Sequence, residues 1–334
     1  MVNGGSIDTR PDSVRPMNKE ALQKFQQSLG VGLWPRLRAA AIGLAQDYWK
    51  DGGAEPLPKT PVKHNARRRI YEEAASPSRP DQSGRWHANR IAVIERIWGQ
   101  GMSRPGDEAL LDVLIAPLGL NREMNVLDLA AGLGGLARRI AKDYNAYVAG
   151  MEVDAEMAKR GMEISVEQGR AKHASVDQYD PASFVPAKHF DCFVARDIFY
   201  RIADRTKFFK AIALGLKPRG QLAFTDFILD PEHAENAAVR DWLAHDRGAN
   251  PLSLAGMTQA WAKLGFDVRV NEDQTKLYHT EIVKGLASFM LFLSKNPPDD
   301  ETKPLVLHEI EKWGWRAKAL EQGLKYCRFY AIKG

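Results

Sequence analysis

Val126-Leu127-Asp128-Leu129-Ala130-Ala131-Gly132-Leu133-Gly134-Gly135 decides the fold of this 334-residue chain. An apolar run that breaks into glycines and passes into a helical pattern, Leu136 to Tyr144, reads as a buried strand, a tight turn and a helix. By that arrangement an α/β protein offers backbone N–H groups to a ligand. Asp128 stands late in the strand, and Gly132, Gly134 and Gly135 follow it by four, six and seven residues, so the backbone can turn sharply and lie close to a flat ligand. The dinucleotide pattern G-x-G-x-x-G is not met: Ala130 holds its first position and no glycine lies three residues after Gly135. A second strand, Ala146 to Glu152, ends in an acid twenty-four residues after Asp128, where a ribose diol would need an acceptor.

Taken together, these residues resemble the class I S-adenosylmethionine-dependent methyltransferases, whose D-x-G-x-G-x-G-G pattern is followed by an acid closing the second strand. Asp128, Gly132, Gly134, Gly135 and Glu152 match, while Ala130 replaces the first glycine and adds one Cβ. The resemblance implies an α/β, Rossmann-like seven-stranded sheet, mostly parallel, in the order 3-2-1-4-5-7-6 with an antiparallel last strand and an N-terminal helical extension. It also implies S-adenosyl-L-methionine as cofactor, held by Asp128, Ala130, Gly132, Gly134, Glu152 and Val153. A Rossmann-like unit that binds another nucleotide, or none, is the plainer alternative.

Composition limits the choice. The chain is 44% hydrophobic and can bury a sizeable core. Two cysteines, Cys192 and Cys327, fall in expected strands and are too few for a disulfide framework, which suggests a reducing compartment and makes cytoplasm the default. Residues 1–18 are polar and lack the apolar core of a secretory signal. The net charge of +5 is confined to residues 1–85, with 14 Lys/Arg against 9 Asp/Glu, and the rest is neutral. So small a surplus, without interleaved aromatics, argues for a solvated face and against nucleic acid.

In chain order, residues 1–85 read as a helical extension with a disordered start, in which Leu33, Leu37, Ala41, Leu44 and Tyr48 share a helix face. That stripe would pack against the rest of the chain or against a second subunit as a dimer contact; a membrane-surface helix is the sharper alternative, interrupted by Gly43 and Asp47. Residues 86–334 are read as the methyltransferase domain, with a lid over 228–265 and a helical insertion over 275–321. A helix from Trp86 ends in Trp98-Gly99-Gln100-Gly101-Met102-Ser103, which resembles the segment before the first strand in phosphoethanolamine and sarcosine/dimethylglycine N-methyltransferases. There the serine and its neighbour touch the cofactor, so Met102 and Ser103 become candidates. A helix end with a glycine-rich turn explains the same stretch.

Further along, a third strand, His173 to Val176, is followed by Asp177-Gln178, which the resemblance assigns to the adenine. Phe190 to Ala195 is the fourth strand, with Arg196 and Asp197 at its carboxyl end, the edge at which open α/β sheets bind ligands. A turn, Lys217-Pro218-Arg219-Gly220, precedes the fifth strand, Gln221 to Thr225. Phe266 to Val270 is the sixth strand and Lys325 to Lys333 the seventh.

Methyl transfer from a sulfonium needs alignment and exclusion of water; a base is needed only if the acceptor must lose a proton. The phosphoethanolamine enzymes use a Tyr–His pair, and alignment through Trp98 and Arg196-Asp197 puts Trp86 and Arg201 at those positions. Neither an indole nor an arginine can act as a base. The acceptor then carries a free lone pair, as an amine or a thioether does, or another base serves: Tyr200, His245 or Asp197. Trp86, Arg201, Phe227, Arg247 and Arg316 become candidates for holding a small, anionic acceptor, since arginine pairs with carboxylate or phosphate. Core packing is the competing role for Trp86 and Tyr200. Other classes stay open: a lipid-headgroup or lipid-modifying methyltransferase at a membrane surface, an RNA methyltransferase, and a cofactor-binding regulator without catalysis.

Overall fold

The computed structural model describes residues 88–334 except Gly106 and Asp107. The readings made for residues 1–85 and for Trp86 lie outside the described residues. Seven strands form one sheet in the order β3-β2-β1-β4-β5-β7-β6. They are β1 Asn125–Asp128, β2 Tyr147–Glu152, β3 Ala174–Gln178, β4 Phe190–Arg196, β5 Leu216–Ile228, β6 Phe266–Asp273 and β7 Lys325–Lys333. All neighbours pair in parallel except β7, which runs antiparallel to both β5 and β6. Arg328 and Phe329 lie inside the sheet, opposite Thr225 and Phe224.

The burial of each strand follows its composition. Apolar runs in β1 and β4 are buried on both faces, as parallel strands covered by helices must be. At the edge, β6 begins buried and then alternates half-buried with exposed residues, which its Asp, Arg, Asn and Glu residues permit. Crossover helices lie on both faces: α1 Ala88–Trp98 and α2 Glu108–Ile115 precede β1, α3 Gly135–Tyr144 joins β1 to β2, α4 Ala155–Glu167 joins β2 to β3, and α5 Arg205–Gly215 joins β4 to β5. Asp154 caps α4 by accepting from the N–H groups of Glu156 and Met157, and Asp204 caps α5 through Lys207. Helix α3 has no side-chain cap, so its first N–H groups point out of the turn that follows β1.

Differences from the sequence reading have local causes. Strand β3 runs on through Asp177 and Gln178, because Met151 and Glu152 of β2 supply partners there. Lys217 to Gly220 lies inside β5 as an irregularity: the register steps from Phe190 opposite Leu216 to Cys192 opposite Gln221, and Arg219 takes up the extra residues at φ +58°.

The stretch read as a lid contains two helices, α6 Ala237–His245 and α7 Leu254–Ala262, and its Trp242 is buried. Helices α8 Thr275–Lys295 and α9 Lys303–Glu321 precede β7. Together α1, α6, α8 and α9 enclose an aromatic core of Tyr200, Phe227, Trp242, Tyr278, Trp313 and Tyr326. Each large side chain buried there contributes roughly 1.5–3 kcal/mol. No helix among the described residues is long and apolar enough to cross a membrane.

Candidate active site

The carboxyl ends of β2, β1, β4 and β5 lie side by side, and the turn after β1 opens against them. Its shape comes from Gly132 at φ +55° and Gly134 at φ +76°, conformations that a side chain would strain. A Cβ on Gly135 would collide with the Met102 sulfur. Ala130 has no positive φ, so its methyl, the departure from the glycine pattern, adds no backbone strain. Asp128 is buried; its Oδ1 accepts from the Ala130 N–H at 3.2 Å and its Oδ2 has no hydrogen-bond partner among the described residues. Burial pushes its carboxyl up to about 6, the Ala130 N–H and the guanidinium of Arg104 pulling the other way. A buried, unpartnered carboxylate oxygen at a glycine turn is a group placed for a ligand.

Glu152 closes β2 and is also buried. Gly132 N–H donates to its Oε2 at 2.7 Å, and the N–H groups of Val153 and Asp154 donate to its Oε1 at 2.9 and 3.1 Å. Desolvation raises its carboxyl above the ordinary range; the charge of Arg104 is the largest opposing influence. Three donors leave a carboxylate with acceptor sites to spare. Val153 is exposed beside it, and Asp177 and Gln178 are exposed at the end of β3, with Gln178 in register with Glu152. Tyr179, not singled out in the sequence, ties this edge together by donating to the Leu129 carbonyl at 2.8 Å.

The segment from Gly99 to Pro105 crosses the glycine turn. Two buried side chains fix its root: Gly101 N–H donates to Glu95 Oε1 at 2.6 Å, and Arg138 Nη2 donates to the Gly101 carbonyl at 3.1 Å. Arg138 Nη1 also donates to the Gly161 carbonyl and Ser165 Oγ, so α3, α4 and the crossing segment share one guanidinium. Further on, Met102, Ser103 and Arg104 line a cavity of about 10 Å³ with Asp128, Ala130 and Arg196. Arg104 donates to the Arg196 carbonyl and lies 3.9 Å from Asp197, while Arg196 donates to the Pro105 carbonyl.

Asp197, after β4, sits at φ +55°. Its carboxylate accepts from Tyr326 at 2.6 Å and Tyr278 at 2.9 Å, two rings stacked 3.6 Å apart. Sequence spacing gave no signal for this pair, because Tyr278 comes from α8 and Tyr326 from β7.

The three arginines expected to hold the acceptor differ in their surroundings. Arg201 and Arg316 both pair with Asp246, which also accepts from Tyr200 and Trp242. Burial would raise the Asp246 carboxyl, yet the two guanidinia hold it at about 2. Arg316 is buried and fully engaged; Arg201 keeps 45% of its side chain exposed. Tyr200 is buried, its hydroxyl pushed up to about 12 by desolvation, and Arg316 donates to it at 2.9 Å. Phe227 is a core residue between Tyr200, Tyr278 and Tyr326. His245 is exposed, stacked on Trp315, with Nδ1 2.7 Å from the Asp241 carbonyl. Arg247 is exposed and makes no ion pair among the described residues.

Residues 104–270 match a family described as a methyltransferase domain. Phosphoethanolamine N-methyltransferase 1 of Zea mays is 25% identical over 236 residues, 70% of this chain and 45% of the relative. The glycine/sarcosine/dimethylglycine N-methyltransferase of Actinopolyspora halophila is 28% identical over 145 residues, 42% of this chain and 25% of the relative. The chain thus spans less than half the length of either relative. Among solved structures, phosphoethanolamine N-methyltransferase 2 of Haemonchus contortus, in complex with phosphomonomethylethanolamine and S-adenosylhomocysteine, superposes with a TM-score of 0.62. Identity is 20%, covering 73% of this chain and 57% of that one.

Proposed function

The chain belongs to the methyltransferase-domain family, and from that premise we propose that it transfers a methyl group from S-adenosylmethionine to a small anionic metabolite whose acceptor atom already carries a lone pair. The observation that carries the cofactor assignment is the unpartnered Oδ2 of buried Asp128 beside an uncapped, glycine-initiated helix, with Glu152 at the neighbouring strand end. When bound, the cofactor supplies an electrophilic methyl on a cationic sulfur. Glu152 would accept from the ribose hydroxyls, Asp128 and the N–H groups around Gly132 and Gly134 would hold its amino-acid end, and Val153, Asp177 and Gln178 would border the base. Met102, Ser103 and Arg196 would cover it and exclude water.

For the acceptor, the charge at the mouth of α6 supports an anion. Two arginines on one aspartate leave the Asp246 cluster net positive, Arg201 is half exposed, and Arg247 stands next to Asp246. A phosphate or carboxylate on the acceptor would pair there. The relatives' names, phosphoethanolamine and glycine/sarcosine/dimethylglycine methyltransferases, denote small amines with such groups. No general base is assigned: Tyr200 is far too weak an acid to ionise near neutrality and already binds Arg316, and Arg201 is spoken for by Asp246. Calorimetry with S-adenosylmethionine, then transfer of labelled methyl to small amines and thioethers with and without a phosphate or carboxylate, tests the proposal. Binding of NAD in place of the sulfonium, or transfer only to uncharged acceptors, would overturn it.

A further inference from the structure

At its Asp128 end the cleft assigned to the cofactor is closed by the protein's own crossing segment. There the cavity between the crossing segment and the glycine turn is about 10 Å³, room for about one water. Arg104 lines that cavity beside Asp128, and a Cβ built on Gly132 would lie 3.7 Å from its Nη2. Its guanidinium donates to the carbonyl of Arg196 and stands 3.9 Å from Asp197, and Arg196 in turn grips the Pro105 carbonyl. Among the charges around Glu152, Arg104 gives the main favourable one. A cation therefore stands beside Asp197 in the cavity that Asp128 lines, within the field of Asp128 and Glu152.

We propose that Arg104 is an internal competitor for the cofactor cleft, a gate that must swing out, with Met102 and Ser103, before the cofactor can enter. The inference rests on the cofactor assignment above and deepens it. The mechanics are local. Glu95 takes the Gly101 N–H and Arg138 the Gly101 carbonyl, so the root of the crossing segment stays fixed. Beyond it Arg104, the Arg196 contact to Pro105 and the packing of Met102 against the core hold the segment over the cleft. Opening exchanges the Arg104 contacts for water and exposes the three carboxylates to the incoming ligand.

The gate has a thermodynamic signature. A ligand that binds only the open form has its affinity reduced by the open fraction, whatever the ligand. Removing Arg104 therefore tightens binding, the opposite of losing a contact. S-adenosylhomocysteine is the cleaner probe, because it lacks the sulfonium charge that would respond to any change in local field. Calorimetry on the full chain should show Arg104→Ala binding S-adenosylmethionine and S-adenosylhomocysteine each about tenfold more tightly, with Arg104→Lys in between. Stopped-flow tryptophan fluorescence should show an association rate that saturates with S-adenosylhomocysteine in the native protein and rises linearly in Arg104→Ala. Weaker binding in both variants would make Arg104 a cofactor contact and overturn the gate; so would a gain for S-adenosylmethionine alone, which is a field effect. If native protein and variants all fail to bind either compound, the cofactor assignment itself falls, and that result is distinct from native binding with no gain in the variants.

Discussion

Arg138 and Glu95 hold the two peptide units that flank one α-carbon: the Gly101 N–H goes to Glu95 and the Gly101 carbonyl to Arg138. Neither side chain is near the surface. Burial lowers the Arg138 guanidinium to about 10, with the charge of Glu95 pulling the other way, and burial raises the Glu95 carboxyl against the opposing influence of the Gly101 N–H, Arg160 and Arg138. The pair sets the height of Met102 and Ser103 above the glycine turn.

Arg138→Ala should accordingly destabilise the protein by about 3 kcal/mol, since it strands a buried carboxylate and the Gly101 and Gly161 carbonyls. Urea midpoints measure this. Arg138→Lys, which can restore charge but not the fork to Gly101, Gly161 and Ser165, should recover less than half. A loss within 0.5 kcal/mol for Arg138→Ala would mean that the clamp does not hold the segment.

Much of the sheet was legible in the sequence because its signals are local. The seventh strand reads Lys325 to Lys333 in both, as alternating large apolar residues bounded by Gly323 and the chain's last glycine dictate. Asp128, the glycine turn and Glu152 are likewise a contiguous pattern. What escaped was long-range pairing between charges. Arg201 and Arg316 look like free anion-binding groups until Asp246, 45 and 70 residues away from them, is seen to take both. Arg104 escaped for the same reason: its partners Arg196 and Asp197 lie more than 90 residues on, and no periodicity announces an arginine folded into a cleft.

Asp128 gives a pH prediction with a defined sign. Its folded value of about 6 lies above the unfolded reference of about 3.9. The stability it contributes is therefore complete below the unfolded value and is lost as pH rises through about 6. Asp128→Asn, which keeps the shape without the charge, should match the native protein near pH 4 and become more stable above pH 6, by up to about 3 kcal/mol. Cofactor affinity should fall in the same variant. Denaturant melts at pH 4.5 and 7.5 check the sign, and an Asn variant that is less stable at the higher pH would show that the carboxylate is already satisfied.

Arg247 tests the acceptor end independently. Exposed and without an ion pair among the described residues, it carries no structural duty, so Arg247→Ala should leave stability within about 0.5 kcal/mol. Acceptor KM should rise roughly tenfold, as for a lost charge-assisted hydrogen bond, with cofactor affinity unchanged. Equal KM values in mutant and native protein would place the anion elsewhere, at Arg201 first.

Tyr200 separates a catalytic hydroxyl from a structural one. Its oxygen accepts from Arg316 and donates to Asp246, but those two residues also bind each other directly at 2.8 Å, so the ion pair survives without it. Tyr200→Phe should lower stability by about 1 kcal/mol, the net value of a buried hydrogen bond, and leave kcat within about threefold. With a thioether acceptor, kcat should stay flat between pH 6.5 and 8.5. With an amine it should rise as the free base forms, at the amine's own pKa in both proteins, because the proton is lost to solvent before transfer. The competing mechanism makes Tyr200 the base, which requires its hydroxyl to fall from about 12 toward neutrality. A Tyr200→Phe enzyme that folds and binds cofactor normally but loses kcat by 100-fold or more would establish that mechanism and end the base-free one.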